Sequence, residues 1–167
     1  MDLHAHVEAI EAAVADPRQG LPDPVFRLVC RLTPMVNVDL LIRNDRSETL
    51  LTWRDDGLYF GWHVPGGIVR FKEQMADRIA AVARLELDAA VTASGAPIAV
   101  NEIITDWAVR GHFISFLYDC TLLTPPAPSW HYTGGELKDG QWAWHTRCPD
   151  DIIKSHERYR RFIDGQA

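Results

Sequence analysis

The sequence predicts an α/β (α+β) fold in which a mixed β-sheet is sandwiched between helices. Three observations carry this expectation. The Ala-rich stretch from Glu73 to Ala90 sets Met75, Ile79, Val82, Ala83 and Leu87 on one side, the pattern of an amphipathic helix. Short runs rich in Val, Leu and Ile, bounded by turn residues, read as strands before and after that helix. Further helical stretches lie at both ends of the chain, and such a mixed order suits layers of sheet and helix around one core.

Taken in order, residues 2–15 are Ala-rich, with Val7, Ile10, Ala13 and Val14 at helical spacing, and Asp16-Pro17-Arg18-Gln19-Gly20 breaks the helix. A second helix is expected from Pro22 to Leu32, with Asp23 as N-cap, Pro24 at the first helical position and Thr33-Pro34 as its stop. Strands are expected at Met35 to Ile42, Thr49 to Trp53, Pro97 to Ile104, His112 to Leu122 and Gln141 to His145, and His63 falls in another. A last helix is expected from Pro149 to Asp164. This divides the chain into an N-terminal helical extension, residues 1–21, and a main domain, residues 22–167.

Composition narrows the function classes. The chain has 167 residues, 47% of them apolar and 24% charged, as an ordinary globular domain does. A net charge of −6 argues against a nucleic-acid-binding surface, while leaving room for a nucleotide pocket that needs only one or two Arg. Cys30, Cys120 and Cys148 are too far apart for a zinc or disulfide framework and read as free thiols of a reducing compartment. With no signal peptide and no transmembrane run in the sequence, a cytoplasmic location and no membrane partner are expected.

Several residues stand out chemically. Asp39 interrupts the apolar run from Val36 to Ile42, where a carboxylate is costly unless it is paired or lines a cavity. Arg54 ends a strand, and its forked guanidinium suits a diphosphate. Gly66-Gly67 after Pro65 allows positive φ and close backbone approach. On the helix from Glu73, positions 82, 85 and 86 cluster on one flank, and of these only Glu86 is a carboxylate. Glu136 and Asp139 offer a metal ligand or a general base on a loop before a strand. Tyr59-Phe60, Trp62, Trp107 and Trp142 to Trp144 could stack a base or pack the core.

The spacing from Gly67 to Glu73 to Glu86 resembles a Nudix box, with Ala81, Val82, Leu85 and Asp88 at four of its fixed positions. Thr33-Pro34-Met35-Val36 with Asp39, Leu50-Leu51 with Arg54, Trp62-x-Val64-Pro65-Gly66-Gly67 and the tail from His156 to Phe162 are similar to the GDP-mannose mannosyl hydrolase subgroup of the Nudix superfamily, which also lacks acids at positions 82 and 85. The resemblance implies a Nudix fold, one Mg²⁺ (or Mn²⁺) per subunit and a homodimer. It also implies hydrolysis of a GDP-hexose at the C1–O bond with inversion. Glu86 and the carbonyl of Gly66 would hold the metal, Arg54 would stabilise the departing GDP, and Asp39 would support the sugar side. Ile68 and Ala81 replace two family arginines, Phe113 matches a substrate-contacting Tyr, and Lys138 and Asp139 fall near a Gln ligand and a His base. A short register shift would bring Glu136 to the metal, with Asp139 or Glu136 as base. Arg54, Trp62 and Phe113 are the expected substrate-binding residues. Two other readings stay open: cleavage of a pyrophosphate in another nucleoside diphosphate derivative, and a ligand-binding or interaction module without turnover.

Overall fold

The computed structural model describes residues 2–166. Two sheets form its frame. In the larger, β1 (Met35–Ile42) runs parallel to β7 (His112–Leu122) and antiparallel to β4 (Gly66–Ile68). Along its other edge, β7 pairs antiparallel with β6 (Ala99–Ile104) over its first half and with β5 (Val91–Ala93) at its end. The smaller sheet is antiparallel, with β2 (Thr49–Asp55) between β3 (Phe60–His63) and β8 (Trp142–His145).

Alternation along the strands builds two cores. Val38, Leu40, Ile42 and Leu50 point to α3 (Met75–Leu87) and meet its buried Ile79, Val82, Ala83 and Leu87. Leu41, Leu51, Trp53 and Trp62 point the other way, against Ile152, Tyr159 and Phe162 of the C-terminal segment. The helix α3 is shorter at both ends than the Ala-rich stretch suggests. It stops at Leu87 because Asp88 takes a left-handed conformation, φ 50°, as its cap.

Other boundaries also shift. The first helix, α1 (Leu3–Ala12), buries none of its residues and is capped by Asp2. In α2 (Asp23–Leu32), Pro22 is the N-cap and Asp23 lies inside the first turn. The expected long C-terminal helix is not formed. Residues 149–153 are irregular, Ile152 bridges to Trp62, and a 3-10 segment Lys154–Tyr159 runs into the short α4 (Arg160–Ile163). Neither Gly66 nor Gly67 adopts a positive φ. Their value is the missing side chain. A Cβ on Gly66 would stand 2.1 Å from Asp39 Oδ1 and 3.0 Å from the Val38 carbonyl oxygen, and one on Gly67 would stand 2.8 Å from Val82. Gly66→Ala is therefore expected to destabilise the fold by about 1–3 kcal/mol through overpacking. Urea denaturation beside the parent protein checks this.

Candidate active site

A cleft of about 490 Å³ opens where β1, β4, β2 and the N-terminal helices converge. Its inner end is built by Asp39 from β1 and Gly66 from β4, and Glu86 of α3 adjoins it through the Gly66 N–H. Asp39 is 1% exposed. Its Oδ2 accepts from Tyr159 Oη at 2.5 Å and from the Ser115 hydroxyl, and its Oδ1 accepts from Asn37 Nδ2 at 2.8 Å. The three donors explain how a carboxylate is tolerated in an apolar strand. Tyr159 Oη also lies 3.1 Å from Ser115 Oγ in the same cluster, and burial beside Asp39 pushes the phenol well above its ordinary pKa.

Glu86 stands on the other side of Gly66. Its Oε1 accepts from the Gly66 N–H at 3.3 Å and lies 3.5 Å from Arg54 Nη2, and its Oε2 lies 3.0 Å from Thr52 Oγ1. The Thr52 hydroxyl is also 2.9 Å from His63 Nε2, while His63 Nδ1 faces the Val64 carbonyl at 2.9 Å. With Nδ1 donating to that carbonyl, Nε2 is the acceptor. One hydroxyl proton cannot serve both His63 and Glu86, so a second proton belongs to this chain of three groups. Burial pushes Glu86 up to about 7, against the pull of Arg54 and the Gly66 N–H. Burial also holds His63 well below the ordinary imidazole value, with Arg54 adding to the effect. His156 is held at about 4, again by burial, and its Nδ1 accepts from the Val64 N–H at 3.1 Å.

The outer part of the cleft is cationic and aromatic. Arg54 and Arg110 both lie over the Tyr59 ring, at 5.8 and 5.5 Å from its centroid, and Arg110 also covers Phe26 at 5.8 Å. Arg70 and Arg78 line the cleft as well. Arg78 is fully engaged by Glu73, with contacts of 2.8 and 2.9 Å, so Glu73 anchors the loop before α3 and does not face a ligand.

The structure thus brings Asp39, Arg54, Gly66 and Phe113 to one cavity, with Phe113 forming part of the wall, and sets Glu86 next to it, against the Gly66 N–H and Arg54. It does not bring Glu136, Asp139 or Trp62 there. Glu136 and Asp139 are exposed, and Asp139 Oδ1 accepts from the Asp55 N–H at 2.8 Å, which ties its loop to the end of β2. Trp62 is a core residue, 4% exposed and packed edge-on to Trp53 and His145. Sequence reasoning missed Arg110, Tyr59 as a platform between arginines, and the Ser115–Tyr159 support of Asp39. The short loop after Trp107 delivers Arg110 to the cleft.

No protein-family model matches the chain. Over 77 residues, 46% of this chain and 49% of the relative, it is 36% identical to the low-salt glycan biosynthesis protein Agl8 of Haloferax volcanii. The chain therefore spans about half the length of the curated relative that it matches. Among solved structures, the MutT Nudix hydrolase of Burkholderia pseudomallei superposes with a TM-score of 0.59 at 18% identity, covering 81% of this chain and 98% of that one. The fold is that of the Nudix hydrolases. An ADP-ribose pyrophosphatase of Streptococcus suis gives a TM-score of 0.56 at 15% identity over 78% of this Nudix-fold chain and 87% of its own. Among the described residues no helix is long and apolar enough to cross a membrane.

Proposed function

We propose that this Nudix-fold protein is a Mg²⁺-dependent hydrolase of a nucleotide sugar of the GDP-mannose kind, releasing free sugar and nucleoside diphosphate by water attack at the anomeric carbon. The observation that carries the reading is the meeting of Asp39 and Glu86 on either side of Gly66, at the end of a cleft whose outer wall is arginine and aromatic. The glycan-biosynthesis relative supports the sugar side of this reading.

The residues fit a single Mg²⁺. Among the described residues no group of three or more His, Cys, Asp or Glu could cage a metal. Mg²⁺ commonly takes one or two carboxylates and completes its shell with phosphate oxygens and water. Glu86 is a carboxylate whose nearest cation, Arg54, is 3.5 Å away, which leaves its oxygens open to a bound cation that would displace the proton burial favours. Glu86 and the backbone oxygen of Gly66 would hold the ion, with Mn²⁺ as the expected substitute. Bound there, it would supply charge neutralisation for the diphosphate.

The protein's own groups do the rest. Arg54 leaves its long contact with Glu86 to donate hydrogen bonds to the diphosphate as negative charge grows there. Asp39 stands where positive charge develops on the anomeric carbon, and Tyr159, Ser115 and Asn37 fix its orientation. Both Asp39 oxygens are already engaged, so its role is charge and not proton abstraction. Displacement at an anomeric carbon passes through an oxocarbenium-like state in which departure leads attack, and this lowers the demand on a base. Neither the metal nor the base is assigned to Glu136 or Asp139, because both stand outside the cleft.

Incubation with GDP-, ADP- and UDP-sugars plus Mg²⁺, followed by NMR, tests the reading. Free sugar of inverted configuration plus nucleoside diphosphate is the expected result. Nucleoside monophosphate plus sugar phosphate would move the reaction to the pyrophosphate. Folded protein that binds but turns nothing over would make this a ligand-binding module.

A further inference from the structure

The loop joining β6 to β7 is short and tightly wound. The Thr105 N–H donates to the Gly111 carbonyl at 2.8 Å, and a Cβ on Gly111 would stand 2.4 Å from the Trp107 carbonyl oxygen. Arg110 takes a left-handed conformation, φ 60°, inside this loop. The result is a guanidinium held over Tyr59 and Phe26, facing the cleft. Among the described residues it has no carboxylate within ion-pair distance, and its Nε is buried without a hydrogen-bond partner. Thr105 Oγ1, on the same loop and also lining the cleft, is likewise buried and unpartnered. Buried donors are satisfied in native proteins as a rule, so two orphans at one wall point to a polar ligand.

A second cleft of about 340 Å³ lies beyond Tyr59. It shares Tyr59, Thr105, Ile153 and Ser155 with the first and is lined further by Phe60 and Trp107. Trp107 meets the Tyr59 ring edge-on, 4.7 Å between centroids. The joined clefts run from Asp39, through Arg54 and Arg110, to the aromatic rings of Phe60 and Trp107.

We propose that Arg110 and Arg54 grip the diphosphate from two sides of Tyr59, and that the nucleoside extends past Tyr59 to stack in the cleft lined by Trp107. This rests on the nucleotide-sugar reading and gives its substrate a direction, sugar inward and base outward. Arg110 is then a specificity residue that makes the site prefer a diphosphate over a monophosphate.

The test is binding of GDP and of GMP, with Mg²⁺, to the full chain by calorimetry. Arg110→Gln is expected to weaken GDP about 10- to 100-fold, the usual range for a charge-assisted pair, and GMP far less, so the preference collapses. Arg110→Lys, which keeps charge and loses the fork, should fall between. Trp107→Ala should weaken both ligands alike, by roughly 10-fold, leaving their ratio intact. An unchanged GDP-to-GMP ratio in a folded Arg110→Gln protein, unchanged affinities in Trp107→Ala, or no GDP binding to the parent protein would each overturn the proposal. If GDP binds as expected but no nucleotide sugar is turned over, the hydrolase reading fails and this one stands.

Discussion

Glu86→Gln is expected to abolish turnover and, in the same protein, to raise the stability of the metal-free fold above pH 7. The Glu86 carboxyl in the fold is pushed up to about 7 from an ordinary 4.5. Below about 4.5 it is protonated whether the chain is folded or not, and it costs nothing. Between those values the unfolded chain ionises first, so a penalty on folding grows, and above 7 the penalty is complete. One-fifth of the side chain reaches solvent, so screening keeps the effect to about 1–3 kcal/mol. In a domain of this size that is roughly 2–12 °C in Tm at pH 8. The glutamine amide can donate to Thr52 Oγ1 as the protonated acid does. Added Mg²⁺ should stabilise the parent protein, by mass action, and leave Glu86→Gln unmoved. Thermal melts at pH 5 and pH 8, with and without Mg²⁺, check all of this. A variant less stable than the parent at pH 8 would show that Glu86 is balanced by its neighbours and does not wait for a cation.

Asp39→Asn is expected to lower kcat by about 10²–10³-fold with KM little changed, because the charge it removes acts on the transition state more than on bound substrate. The fold should survive. Ser115 and Tyr159 carry hydroxyls that can turn to accept as well as donate, so the neutral amide can be rehoused among them. Steady-state kinetics beside circular dichroism separates the two effects. An equal rise in KM with unchanged kcat would make Asp39 a uniform binding contact.

The parts of this molecule that were legible in its sequence are those set by local rules. A carboxylate inside the run Val36–Ile42 could survive only with partners, and Asp39 has three. The helical spacing of Ile79, Val82, Ala83 and Leu87 identified the face of α3 that packs on the sheet. Glycine at 66 marked a close approach, though the reason is a missing Cβ beside Asp39 and not an unusual φ. What escaped was set by distant pairings. Trp62 lies next to the cleft in sequence, but its β3 register opposite Trp53 turns it into the core. The segment from Pro149 to Asp164 reads as helical, yet Ile152 is drawn into a bridge with Trp62 and the α-helix shrinks to one turn. Arg110 belongs to a loop with no periodicity at all, and only the fold shows that it faces Tyr59. Asp139 was assigned by alignment of positions, and a bond to the Asp55 N–H holds it elsewhere.

The most direct measurement is hydrolysis of GDP-mannose with Mg²⁺ in ¹⁸O-labelled water, with both products weighed by mass spectrometry. Attack at the anomeric carbon places the label in the sugar and leaves GDP unlabelled, and this is the result that the roles proposed for Asp39 and Arg54 predict. Label found in a phosphate, with GMP as product, would contradict it and place the reaction on phosphorus.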